Sequence, residues 1–385
     1  MTHWIFLILL LASTERKPVF ETQTIDSDVA IGYGIAIGDV DGDGRPDILL
    51  ADKKEFVWYR NGDWKRFVMV DNLTEHDNVC IAARDINGDG RVEVAVGAQW
   101  NPGETSDENR SGSVHYLIRP EDPTQKWKPV ALHHEPTVHR MRWAKATGDK
   151  YHLIMLPLHG RGNKGGEGEG VKVIAYEKPK NPEDKWEHWV IDQSMHLTHN
   201  LDVVSEGDGE TLYIGGKEGV KVLSFQNGNW SPHPDGEWAV EAHGFGELRF
   251  GKTASGSRFL AGIEPLHGNM LTTYIPRGKT FAKNQLDRQV LTDQMQQGHG
   301  LAAADVLGLG KDQIVVGWRE PNEAGELGVK IFIPQQNGEW DSIWIDKDGM
   351  ACEDLQVADL NGDGKPDIIA AGRATNNLKI YWNRN

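Results

Sequence analysis

Cysteine is almost missing from this chain: Cys80 and Cys352 are the only two. That scarcity excludes a disulfide framework or a Cys-rich zinc module. Long apolar runs are missing as well. The one strong run, Trp4–Ala12 (WIFLILLLA), is too short to cross a bilayer and has the length of a signal-peptide core. The small residues Ala12, Ser13 and Thr14 behind it offer a cleavage region. Residues 1–16 are therefore read as a signal peptide and 17–385 as a single domain, secreted or periplasmic, without membrane insertion. Positive charge is in deficit, with a formal net charge of −16. That balance disfavours nucleic acid as a partner. No sustained helical periodicity is present either. Short apolar runs are broken by Gly, Asn and Asp, which favours an all-β chain. A G-x-S-x-G nucleophile elbow is absent.

What the chain does contain is a repeat. IAIGDVDGDGRPDILLAD (35–52), CIAARDINGDGRVEVAVGAQ (80–99) and LQVADLNGDGKPDIIAAGR (355–373) match closely. LAAADVLGLGKDQIVVGWR (301–319) keeps the strands and loses most loop acids. Three weaker copies fit between Asp85 and Asp305, with Lys145, Ser205 and Arg249 at the marker position. The seven markers, from Asp39 to Asp359, recur about every 53 residues. A third strand, an Asn-Gly turn with Trp, and a fourth strand follow most markers, as in Asn61-Gly62-Asp63-Trp64. Four antiparallel strands in such a unit describe a propeller blade. The recurrent Trp64, Trp127, Trp186, Trp230 and Trp340 are expected to pack beside this turn. The last repeat stops after its third strand, and KPVFETQTID (17–26) reads as an isolated fourth. The expectation is a seven-bladed β-propeller closed by the N-terminal strand, which removes an open edge. Cys80 and Cys352 then fall in blades 2 and 7, with blade 1 between them, and are expected as free, buried thiols.

Three loops carry oxygen side chains at positions 1, 3, 5 and 9. They are Asp39, Asp41, Asp43 and Asp47; Asp85, Asn87, Asp89 and Glu93; and Asp359, Asn361, Asp363 and Asp367. Alternate oxygens in a tight loop converge on calcium, so about three structural Ca2+ ions are expected. DVDGDGRPD, DINGDGRVE and DLNGDGKPD resemble the FG-GAP or VCBS repeat of integrin α-subunit propellers and many secreted bacterial proteins. That resemblance implies a structural role for calcium and no single activity.

Six residues before each marker, at the start of each innermost strand, stand Tyr33, Val79, His139, His199, His243, His299 and Glu353. Such imidazoles serve either as staples between blades or as a site. As a site they form an acid–base cluster or bind Zn2+ or another divalent metal through His139, His199, His243 and His299. Strand alternation puts the loops between second and third strands on the same face. These loops add His159, Arg161, His267, Trp100 and Trp318 as substrate-binding candidates, and Arg319 and Arg373 beside Tyr33 and Glu353 as catalytic ones. Such groups suit a carbohydrate or sugar-derived small molecule and β-elimination from a keto sugar or uronate. The stretches around His299–Asp305 and 358–383 are similar to the propeller part of aldos-2-ulose dehydratase. That family joins a propeller to cupin domains and dehydrates keto sugars. The resemblance implies roles for His299, Glu353 and Arg373. The other expectation is a non-catalytic propeller that binds glycan or protein through the same face.

Overall fold

The computed structural model describes residues 18–278, 281 and 285–385; the expected signal peptide lies outside the described residues. The strands form seven antiparallel sheets. Their first strands are Gly34–Gly38, Cys80–Arg84, Val138–Thr147, Thr198–Glu206, Leu248–Lys252, Gly298–Ala304 and Cys352–Ala358. Each contacts the first strands of its two neighbours, and the seventh returns to the first, so these strands line a closed ring. Blade 4 carries a fifth strand, because Asn229–Pro232 and Trp238–Glu241 share the outer edge of Gly219–Gln226.

Closure follows the expected route. Phe20–Asp26 pairs antiparallel with Asn377–Asn383 and becomes the outer strand of blade 7, with Phe20 opposite Asn383 and Thr24 opposite Lys379. The chain is thus an all-β, seven-bladed propeller.

The core is divided among the blade interfaces. Seven apolar clusters each join two neighbouring sheets, for example Leu49, Trp58 and Met69 of blade 1 with Ile81, Val94 and Trp127 of blade 2. Both faces of every sheet are therefore apolar. This is why central strands such as Asp47–Ala51 and Asp367–Gly372 read as continuous buried runs. Trp127, Trp186 and Trp230 are buried in these interfaces, while Trp64 and Trp340 are half-buried. Cys80 and Cys352 are buried and unpaired.

Polar staples reinforce the interfaces. Asn61 of blade 1 donates to the Leu360 carbonyl of blade 7 at 2.7 Å. Asn383 of blade 7 donates to the Val306 carbonyl of blade 6 at 2.6 Å. In both blades the same Asn backbone N–H donates to the position-9 carboxylate, Asp47 at 2.7 Å or Asp367 at 2.8 Å.

Candidate functional site

The acidic loops have one local design. In each, the position-1 carboxylate accepts the amides of both loop glycines: Gly42 and Gly44 on Asp39, Gly88 and Gly90 on Asp85, Gly362 and Gly364 on Asp359. The sixth residue is Gly with φ near 83° in all three, a backbone that side chains with a Cβ rarely adopt. Asp39, Asp41 and Asp47 bring carboxylate oxygens within 4.8 Å of one another. Asp47 is fully buried, and burial pushes its carboxyl up to about 7. Amide bonds from Asn61 and Val40 work against that rise, while Asp41 and Asp39 add to it. Hard oxygen donors crowded around a buried carboxylate fit a calcium ion. Loop four keeps only Asp305, which still accepts the Leu309 and Gly310 amides at 2.7 Å.

The axial residues sit at irregularities in strand pairing. His139, His199, His299 and Glu353 each fall where the register between first and second strands slips by one residue. A bulge of this kind re-aims a side chain, and bulges concentrate next to functional sites. Blade 5 has the equivalent bulge at Gly246 and Glu247, which together face Ile263 through two 3.0 Å bonds. Its axial residue is therefore Gly246. His243 lies three residues earlier, exposed, and the expected place for it in the ring is not realised. The physical reason is register: six residues after Gly246 stands Lys252, the end of the first strand Leu248–Lys252, so Arg249 marks the blade three residues early.

Each axial imidazole donates through Nδ1 to a main-chain carbonyl of the next blade. His139 bonds His199 O at 2.7 Å, His199 bonds Gly246 O at 2.7 Å, and His299 bonds Glu353 O. A carbonyl only accepts, so Nδ1 carries the proton and Nε2 keeps a lone pair. The staple and the site are thus one arrangement. His267, on the loop between the second and third strands of blade 5, completes it. Its Nε2 lies 2.5 Å from His199 Nε2, and its ring stacks on His299 at 4.9 Å. His199, His267 and His299 place ligand nitrogens within 4.8 Å of one another. Burial, with nearby charges from Arg140, His267 and others, pushes His139 and His299 well below the usual histidine range. Burial and the neighbouring His199 and Arg319 push His267 down to about 2. Three convergent imidazole nitrogens, two of them with the tautomer set by a carbonyl, fit a borderline divalent metal such as zinc and do not fit calcium. His139 stands beside the trio, edge-on to His199 at 4.6 Å and stacked on Trp100 at 5.0 Å.

The other candidates divide into two groups. Arg373 and Arg319 both reach the axis, where Glu353 clamps them. Arg373 makes two 2.7 Å bonds to that carboxylate, and Arg319 approaches at 3.1 Å. Glu353 is buried with both oxygens engaged, so it orients the two guanidiniums and is not a free base. Tyr33 donates to Asp77 at 3.2 Å under the Arg373 guanidinium. Burial and Asp77 push its phenol up to about 12, so it stays protonated. Arg161 is committed elsewhere, tying blade 3 to Glu135 at 3.0 Å and to Glu108 of the 99–113 loop at 2.6 Å. His159 braces Thr137 through main-chain bonds. Trp318 is buried against Trp344 with its indole N–H on Glu326 O, so no stacking face is exposed. Reading the sequence missed the buried Arg140 and Glu247 and the half-buried Asp354, which each follow an axial position. The signal was present: a charged residue directly after each axial position in three blades.

Comparison with known proteins gives three family matches. The Aldos-2-ulose dehydratase, beta-propeller domain model matches residues 111–277. An FG-GAP-like repeat model matches 39–96, and an FG-GAP repeat model matches 81–117. No curated protein sequence matches the chain. Among solved structures, BBS1N in complex with ARL6DN aligns with a TM-score of 0.55 at 14% identity, covering 96% of this chain and 98% of that one. The Myceliophteria thermophila Cps50 (Swd1) beta-propeller domain aligns with a TM-score of 0.53 at 11% identity, covering 95% and 100%. At such identities the likeness is one of fold.

Proposed function

From a seven-bladed propeller carrying FG-GAP repeats, we propose a secreted, calcium-stabilised carbohydrate lyase or dehydratase whose axial imidazoles hold a divalent metal. One observation carries this reading: the nitrogens of His199, His267 and His299 converge, with the tautomer of two of them set by carbonyls. A metal there would supply Lewis-acid polarisation of a substrate carbonyl or carboxylate oxygen. The chain's own groups do the rest. Arg319 and Arg373, held rigid by Glu353, direct N–H donors at the oxygen where negative charge develops. His139, neutral and with its Nε2 lone pair available, is placed to take the proton next to the carbonyl. Tyr33, protonated at rest, hands that proton to the leaving hydroxyl or sugar oxygen, and the proton taken up by His139 then restores the phenol through water. The match to a dehydratase propeller model over 111–277 supports the class, since His139, His199 and His267 all fall inside it.

The test is a screen of keto sugars and uronides for the ultraviolet absorbance of an unsaturated product. The expected result is turnover that falls about 100-fold or more in Tyr33→Phe and in His139→Ala. Absence of product from every keto sugar and uronide, with the metal present, would sink the lyase reading. A second reading, a propeller that binds a protein partner on this face, draws on the fold-level likeness to BBS1N, which is in complex with ARL6DN.

A further inference from the structure

Arg140 follows His139 at the bulge of blade 3 and is only 7% exposed. Its Nη1 donates to its neighbour's carbonyl, His139 O, at 3.0 Å. Among the described residues that is its one hydrogen bond, and it forms no ion pair. A guanidinium offers five N–H donors and never gives up its proton, so burying it with one donor filled is costly even with the charges of Glu247 and Asp354 in reach. Its charge depresses His139, His267 and His299 alike, which puts it beside the imidazoles.

The carboxylates nearby are engaged at every oxygen but Oε1 of Glu247, which is buried without a hydrogen bond. Asp354 accepts the Ile35 and Leu355 amides at 2.6 and 2.9 Å. Glu247 accepts the Asn200 amide at 2.5 Å and faces Arg249 at 3.5 Å. Glu353 holds Arg319 and Arg373. Arg142, like Arg140, donates to the carbonyl before it. Arg140, Arg142, Arg249, Arg319 and Arg373 thus stand near the axis against Glu247, Glu353, Asp354 and the Asp77 bonded to Tyr33, in a chain whose net charge is −16. An acidic protein that concentrates cations in one buried place builds a local field for an anion.

We infer that the axial site takes an acidic sugar, a hydroxyl-rich ligand bearing a carboxylate, and that Arg140 is the residue that selects the carboxylate. This rests on the reading of the axial imidazoles as a carbohydrate site and narrows it from keto sugars and uronides together to sugar acids. Planar, two-pronged recognition of a carboxylate is the task a guanidinium performs best.

The experiment is calorimetric titration of D-glucuronate and D-glucose into zinc-loaded protein, with zinc content measured on the same samples. Wild type is expected to bind glucuronate at least about tenfold more tightly than glucose. Arg140→Met brings the two affinities together with zinc content unchanged, and Arg140→Lys retains part of the preference. Equal affinities in wild type, no heat from glucuronate, or an unchanged preference in Arg140→Met would each overturn the inference. If Arg140→Met does not fold, the wild-type preference and Arg140→Lys decide it. Zinc missing while the glucuronate preference persists refutes the metal reading alone. Zinc present with equal affinities refutes the acidic-sugar inference alone.

Discussion

Burial decides which form each imidazole takes, at the axis and away from it. His152 gives a case remote from the site. It is fully buried in blade 3, and its Nδ1 accepts the Trp230 indole N–H at 3.1 Å. Burial, with a smaller push from Lys150, lowers it to about 4. Its folded value is below the unfolded one, so the unfolded chain takes up the proton first as pH falls. The stability it contributes is complete above about pH 6.5 and is lost between there and about pH 4, at up to about 1.4 kcal/mol per pH unit. His152→Phe should therefore lose about 2 kcal/mol less than wild type between pH 7 and pH 5, read as urea midpoints. An unchanged pH dependence in the variant would contradict the assignment.

The acidic loops and the bulged first strands behave differently as elements, and they were not equally legible. Loop ligands lie within nine residues, so spacing alone displays them. The axial ring depends on where each strand begins, and in blade 5 the marker was set three residues early, at Arg249 in place of Lys252. Counting back from Arg249 therefore reached His243, whereas the bulge places Gly246. His267 was visible as a polar loop residue, but its approach to His199 is set by the ring radius, which no local pattern encodes. Trp318 reads as an aromatic platform in sequence, yet packing against Trp344 and Lys330 buries it. For the loops, millimolar calcium should raise the melting temperature by a few degrees over protein in chelator, since saturation about 100-fold above Kd is worth about 2.7 kcal/mol per site. Asp39→Ala, which removes the carboxylate that accepts Gly42 and Gly44, should lower the calcium stoichiometry by one. Identical melting with and without calcium would refute the calcium assignment.

For the whole molecule, the decisive feature is closure. Blade 7 takes its outer strand from the other end of the chain, and the N-terminal Phe20–Asp26 covers an edge that would otherwise expose unpaired amides. Removing residues 18–26 should cost at least about 3 kcal/mol and produce soluble aggregates, measured by thermal melting and light scattering. Retention of wild-type melting would mean that the ring does not need this strand. A closed ring also fixes the radius at which His199, His267 and His299 meet, which makes the axis the one place where seven blades contribute to a common site. The most direct test of that site is the transition-metal stoichiometry of purified wild type, His267→Ala and His243→Ala after equilibration with zinc. One zinc per chain is expected in wild type and in His243→Ala, with less than about a tenth remaining in His267→Ala. Full zinc occupancy in His267→Ala, or equal loss in His243→Ala, would contradict the account.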